Sequence, residues 1–221
     1  SGGGGGGSEE PSLRLEITDN TFRGLSSKKP MLLFNEFKVP VVIIKLAFEN
    51  CSTSNSFIVM ERFKETVIFE SLRLESSLGG LINIADDEVE TAGIVLVNSV
   101  VSNHTLKAGK TLVTGMMALV FLYNNYVYNT ESEIGANLFK LSSLGNKLNV
   151  ISHHNRFEAN SGSNSGGVWN LSGMKFSDSN SLYLSNFSPF TGGVLTVNAQ
   201  SECEIRNSKF YGNAARDNGG V

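Results

Sequence analysis

Short apolar runs with alternating polar positions recur along this chain, and most are closed by an asparagine. Leu15-Glu16-Ile17 leads to Asn20, Ile44-Lys45-Leu46-Ala47-Phe48 to Asn50, Val95-Leu96-Val97 to Asn98, and Phe121-Leu122-Tyr123 to Asn124. Further on, Leu148-Asn149-Val150 leads to Asn155, Leu182-Tyr183-Leu184 to Asn186, and Glu204-Ile205-Arg206 to Asn207, whereas Leu72-Arg73-Leu74 ends at Ser76 and Ser77 without the amide. Period-two alternation over three to five residues predicts strands buried on one face. From Asn20 to Asn207 the eight units step by about 27 residues.

Glycine keeps the same beat. Gly166-Gly167-Val168, Gly192-Gly193-Val194 and Gly219-Gly220-Val221 lie 26 and 27 residues apart, with weaker versions at Gly79-Gly80-Leu81 and Ala92-Gly93-Ile94. Paired glycines permit sharp corners, and the branched residue behind each begins a new strand. Strands this short cannot bury an apolar face alone. Stacking coil on coil supplies the partner, so the pattern predicts an all-β solenoid, a parallel β-helix of about eight coils spanning ~38 Å at ~4.8 Å per coil. Ile17, Leu46, Leu74, Val97, Tyr123, Leu184 and Ile205 are expected to form an interior column. Asn20, Asn50, Asn98, Asn124, Asn155, Asn186 and Asn207 are expected to stack into an amide ladder at one corner, with Gly79, Gly80, Gly166, Gly167, Gly192, Gly193, Gly219 and Gly220 at another. A β-sandwich also has many short strands, but nothing in it places two landmarks on one shared period. Helical turns have room only in 133–142 and 59–66.

Composition narrows the function classes. With 18 Lys+Arg against 21 Asp+Glu the net charge is −3, which gives no electrostatic pull toward nucleic acid or an anionic membrane. Polarity comes instead from 23 Asn, 28 Ser and 11 Thr, side chains suited to turns and ladders. Residues 1–10 read as a flexible Gly-rich linker and 11–221 as the β-helix, ending on what the repeat marks as the start of a strand, as in a fragment of a longer array. No apolar stretch approaches the ~20 residues of a membrane helix. Cys51 and Cys203 read as small buried hydrophobes some six coils apart, ~29 Å and too far for a disulfide.

The C-terminal coils carry a recognisable repeat: Phe157-Glu158-Ala159-Asn160 before Gly166-Gly167-Val168-Trp169, and Phe210-Tyr211-Gly212-Asn213 before Gly219-Gly220-Val221, the Phe leading the glycine pair by nine residues both times. Phe187-Ser188-Pro189-Phe190 before Gly192-Gly193 is a degenerate third copy. This resembles the FxxN and GG-hydrophobic repeats of the polymorphic outer membrane proteins of chlamydiae. The resemblance implies a right-handed, pectin-lyase-like β-helix in an extended extracellular or cell-surface passenger, with adhesion as its role. This chain has fewer cysteines than such proteins often carry, and the resemblance implies a membrane barrel beyond these repeats.

Candidate chemistry is sparse. Asp86, Asp87, Glu88 and Glu90 are the densest acidic cluster, a candidate for Ca²⁺ ligands or for a carboxylate pair cleaving glycosides, and otherwise a solvated loop. His153 and His154, as strand neighbours, should face opposite ways and so not share a metal. No nucleophile elbow or phosphate loop is present in the sequence. Trp169, Tyr183, Phe187 and Phe190 are either a platform for sugar rings or fillers of the interior, and Phe157, Phe187 and Phe210 recurring once per coil favour the interior. The four sequons at Asn50, Asn103, Asn170 and Asn186 match chance in so Asn-rich a chain. The reading is a non-enzymatic scaffold or adhesin-like segment without a cofactor. Its expected partners are further coils or a protein at the open ends, with carbohydrate as a further candidate. The alternatives are a polysaccharide lyase or hydrolase using the acidic loop, and an assembly-forming structural protein.

Overall fold

A computed structural model describes residues 14–63, 65–85, 93–115, 118–133, 138–142, 148–163, 165–198 and 200–220; the 1–10 segment, the acidic residues 86–90 and Val221 lie outside them. The described chain is all-β, without helix, and winds into a parallel solenoid of about seven turns. Val59 to Glu61 and Phe139 to Ser142, where helical turns had room, are strand.

Coils one to seven contribute to three walls, and coil eight, among the described residues, to the first two. The first wall stacks Leu15–Arg23, Val41–Glu49, Thr66–Glu70, Gly93–Val97, Leu119–Tyr123, Asn149–His153, Lys175–Ser179 and Glu202–Arg206. The second stacks three-residue strands, Arg73–Glu75, Val100–Ser102, Tyr126–Tyr128, Arg156–Glu158, Leu182–Leu184 and Lys209–Tyr211, onto the C-terminal half of Val41–Glu49. The third runs from Leu32–Asn35 through Ser52–Glu61, Leu78–Ala85, Val113–Gly115, Phe139–Ser142 and Trp169–Ser172 to Leu195–Val197. All of these pairings are parallel, and register slips only between Ser52 and Ser56.

Two corners define the second wall. Asp19, Lys45, Ser71, Asn98, Asn124, His154, Asn180 and Asn207 have positive φ at the first, and Gly24, Asn50, Ser76, Asn103, Asn129, Ala159, Ser185 and Gly212 at the second. In every coil the two lie five residues apart, and both columns advance by the same 26 to 30 residues per coil. A left-handed residue reverses the alternation of side chains locally and bends the strand, at ~1 kcal/mol when it is not glycine. The ladder survives the bend, because the corner amides still donate to the next coil: Asn98 N to Tyr123 O at 3.0 Å, Asn124 N to His153 O at 3.1 Å, Ser185 N to Tyr211 O at 2.9 Å.

Alternation then assigns the core. The residue two before a corner faces inward and the residue immediately before it faces out. The expected column therefore divides: Ile17 and Ile205 align with Ile43, Phe69, Leu96 and Leu122, while Leu74 belongs to a column with Phe48, Val101, Val127, Phe157 and Tyr183. Leu46 follows the first corner and is buried there, but Val97, Tyr123 and Leu184 immediately precede corners and point outward. Rings stack up the second wall, Phe157 on Tyr183 at 5.1 Å and Tyr183 on Phe210 at 4.8 Å. Phe139 on Trp169 at 4.3 Å does the same in the third.

The Gly-Gly pairs sit where the chain enters the third wall: Leu81, Leu112, Val168 and Val194 are buried there, and Gly79-Gly80 precedes Leu81 at that same register. Gly93, by contrast, opens a first-wall strand. The first glycine of each pair takes positive φ (Gly79, Gly166, Gly192, Gly219), and Gly167 and Gly193 lie against the next coil's backbone. Cys51 is buried and Cys203, in the outermost coil, is exposed; both thiols are free.

A methyl group at Gly193 would lie 2.5 Å from Ala214 O and 2.6 Å from Gly220 O. Gly193→Ala is expected to cost about 2 kcal/mol of stability, a fall in Tm of several degrees. Gly24→Ala, with nothing within 4 Å, should cost about half that, leaving only backbone strain. Equal losses in thermal melts would refute coil-to-coil contact as the reason for the pairs.

Candidate functional site

The position after each corner projects into the interior. At the first corner it holds Ser99, Asn125, Asn155, Ser181 and Ser208; at the second, Ser77, His104, Thr130, Asn160, Asn186 and Asn213. Each corner turns an N–H and a carbonyl toward the core, and asparagine of the next coil satisfies both, because its amide accepts and donates at once. Thr130 N donates to Asn160 Oδ1 at 3.1 Å, and Asn160 Nδ2 donates to Val127 O at 2.9 Å. Asn160 N to Asn186 Oδ1 at 3.2 Å and Asn186 Nδ2 to Phe157 O at 2.9 Å repeat the device one coil on. At the first corner Asn125 N donates to Asn155 Oδ1 at 2.8 Å and Asn155 Nδ2 to Leu122 O at 2.9 Å. The FxxN motif is this unit: core ring, outward residue, left-handed corner, bridging amide. Tyr183-Leu184-Ser185-Asn186 is its third copy, whereas Phe187-Ser188-Pro189-Phe190 is not.

The seven asparagines expected in one ladder thus occupy four positions. Asn98, Asn124 and Asn207 are left-handed residues of the first corner and Asn50 of the second; Asn20 and Asn155 follow the first corner and Asn186 the second. The outer amides also touch, Asn124 Nδ2 to Asn98 Oδ1 at 2.7 Å and Asn129 Nδ2 to Asn103 Oδ1 at 2.6 Å, but in solvent. Of the sequon asparagines, Asn186 is buried with its amide engaged, which leaves no room for a glycan.

Buried titratable groups interrupt the ladders. His104 takes the ladder place in coil four, its Nε2 donating to Gly79 O at 2.8 Å. Its Nδ1, Thr130 Oγ1 and Ser132 Oγ are buried without a hydrogen-bond partner. Burial pulls His104 down to about 4, against the opposing pull of the Gly79 and Ser77 backbone. Asp178 faces inward in coil seven, one oxygen accepting from Ser208 Oγ at 2.6 Å and the other without a partner. Burial, then the Asp178 charge, push the Tyr183 hydroxyl up, and that hydroxyl accepts from Trp169 Nε1 at 3.2 Å. Trp169 and Tyr183 are interior fillers, while Phe187 and Phe190 are exposed. Ser152 and Asp178 were hidden from sequence reading because they occupy an otherwise aliphatic column; the outward-before-corner rule would have found them.

On the surface, His153 and His154 are not back to back. His154 is the left-handed corner residue, so the two rings lie 4.1 Å apart, with Tyr123 stacked on His153 at 5.6 Å. His153 Nδ1 lies 2.6 Å from Ser179 Oγ. Among the described residues no group of three or more His, Cys, Asp or Glu could hold a metal ion, and no helix is long and apolar enough to cross a membrane. No family model matches the chain, and neither a curated protein nor a solved structure matches it.

Removing the Asn160 amide strands the Thr130 N–H and the Val127 carbonyl, so Asn160→Ala should cost about 2–4 kcal/mol in chemical denaturation. For His104 the folded value lies below the ordinary 6.5, so the unfolded chain binds the proton more readily between the two. Stability is complete above pH 6.5 and is lost as pH falls toward 4, by about 3 kcal/mol in all. His104→Asn, the residue of coils six to eight at this place, should abolish that part of the acid sensitivity in melts followed from pH 7 to 4.

Proposed function

We propose that this chain is a segment of an extended, non-enzymatic β-solenoid, a scaffold or adhesin-like arm of a cell-surface or secreted protein. The observation that carries the reading is the constant five-residue interval between the two corners in all eight coils, while the loops elsewhere vary in length. Holding one face of a coil invariant over 26- to 30-residue steps maintains axial rigidity, the property a spacer needs. The FxxN and GG-hydrophobic resemblance to polymorphic outer membrane proteins, a pectin-lyase-like type, supports the same reading. Its partners would be further coils or a protein strand seated on the terminal faces. At one such face Glu202–Arg206 and Lys209–Tyr211 are edge strands, with Ile205 and Phe210 partly open to solvent. Carbohydrate is a further candidate for the exposed aromatic surface.

The competing reading is a polysaccharide-active enzyme using Asp86, Asp87, Glu88 and Glu90. Incubation with acidic and neutral glycans, read by release of reducing ends and of unsaturated uronates, is expected to show no turnover. A measurable depolymerisation that disappears in the Asp86→Asn/Asp87→Asn double variant would replace the scaffold with the enzyme. Assembly into fibres that a charge at Val221 abolishes would favour the structural-polymer alternative.

A further inference from the structure

The three walls differ in what they present to solvent. Outward residues of the second wall are mixed: Arg23 pairs with Glu49 at 2.7 Å, Arg156 pairs with Glu158 at 2.8 Å and lies over the Tyr126 ring, and Val100, Leu182 and Leu184 share the same outward columns. The third wall carries mostly polar residues outward, among them Asn83, Thr114, Lys140, Asn170 and Thr196. The first wall does not follow them. Val42, Ile68, Val95, Phe121 and Ile151 align in one outward column, every one of them partly exposed. Ile44, Val97 and Tyr123 run beside it, and Leu119 lies on the other flank. Among the described residues this is a parallel sheet with one partly exposed apolar face, and such sheets are stable with both faces covered.

We propose that this face docks a second copy of this chain, inverted so that the two solenoid axes run oppositely. The argument is complementarity. A two-fold axis along the strands, between coils four and five, keeps each column facing the same column and sets coil four against coil five. Small then meets large at the centre: Gly93 against the partner copy's Leu119, Val95 against Phe121, and Val97 against Tyr123. Coil three meets coil six, Ile68 against Ile151 and Glu70 against His153. Coil one meets coil eight, Arg14 against Glu202 and Thr18 against Arg206. One like-charged pair arises, Glu16 against Glu204, at the wet rim, where Arg14 and Arg206 already pair with them within each copy. Eight strands of about five residues make a face on the order of 700 Å², close to the ~800 Å² per partner of a stable interface. An apolar centre with a charged rim is also the anatomy of such an interface.

Analytical ultracentrifugation of the whole chain across micromolar concentrations is expected to show a monomer–dimer equilibrium. Phe121→Glu points outward, so at concentrations where the parent chain is monomeric it should leave the melting curve and far-ultraviolet spectrum unchanged, while weakening dimerisation by a hundred-fold or more. His153→Glu, facing Glu70 of the other copy, should weaken it about ten-fold, and adding Glu70→Lys should restore it. Those two residues lie three coils apart within one chain, so rescue reports a contact between copies. A monomer at all concentrations, association indifferent to Phe121→Glu, or no rescue by Glu70→Lys would overturn the proposal. Loss of the dimer would leave the scaffold reading standing, since that rests on the regular coils.

Discussion

Everything in this molecule depends on a backbone bend that keeps its hydrogen bonds. Two left-handed residues, five apart, turn each coil twice, and the amides at those turns still reach the carbonyls of the neighbouring coil. The strain is small per residue, but sixteen such positions recur, and a fold that repeats a strained conformation must repeat its compensation. That compensation is the inward side chain following each corner. Where it is asparagine, one amide closes both groups that the bend turns into the core. Where it is serine, the shorter side chain serves the N–H, as for Leu72 N to Ser99 Oγ at 3.1 Å, and reaches the carbonyl only at length, as for Ser77 Oγ to Phe48 O at 3.4 Å.

The interior is therefore graded along its length. Coils six to eight have asparagine at the second corner, stacked rings in the second wall and glycine pairs leading into the third. Coils two to four hold Cys51, Ser77 and His104 at that corner, with aliphatic residues in place of most rings. The buried polar seam is complete toward one end and interrupted at His104 and Thr130, where unpartnered atoms gather. Acid sensitivity belongs to the weaker half for this reason: a neutral imidazole stands where a bridging amide would be indifferent to pH.

How much of this the residues announce depends on which regularity is read. The solenoid was legible because its period appears twice, in strand-plus-Asn and in Gly-Gly-Val, and a sandwich cannot produce a shared period. The column assignment is not, because by hydrophobicity the strand-ending residue reads as inward. Val97 and Tyr123 look like core by hydrophobicity, yet each immediately precedes a left-handed residue and faces out. Asn98 and Asn155 look alike in sequence and differ by one position: one is the corner, the other bridges it. Lys45 and Ala159 occupy left-handed corners that no propensity rule would choose, since stacking on both sides outweighs a local cost of ~1 kcal/mol. The acidic cluster at 86–90 lies outside the described residues, so its role stays with the glycan assay.

In a solenoid the interior and one outer face can carry the same hydrophobic signal, so hydrophobicity alone cannot say which is which; the corner decides. Once the left-handed residues are placed, Val42, Ile68, Val95, Phe121 and Ile151 must lie outside, because Val41, Val67, Ile94, Val120 and Val150 fill the inside. First-wall strands of coils two, four and five are thus apolar on both faces, the composition of a buried parallel strand. A rod held rigid by its corners offers such a face as a flat, pre-formed plane, so little conformational entropy opposes its being covered. The constraint that keeps the coils in register also makes that wall fit to be an interface.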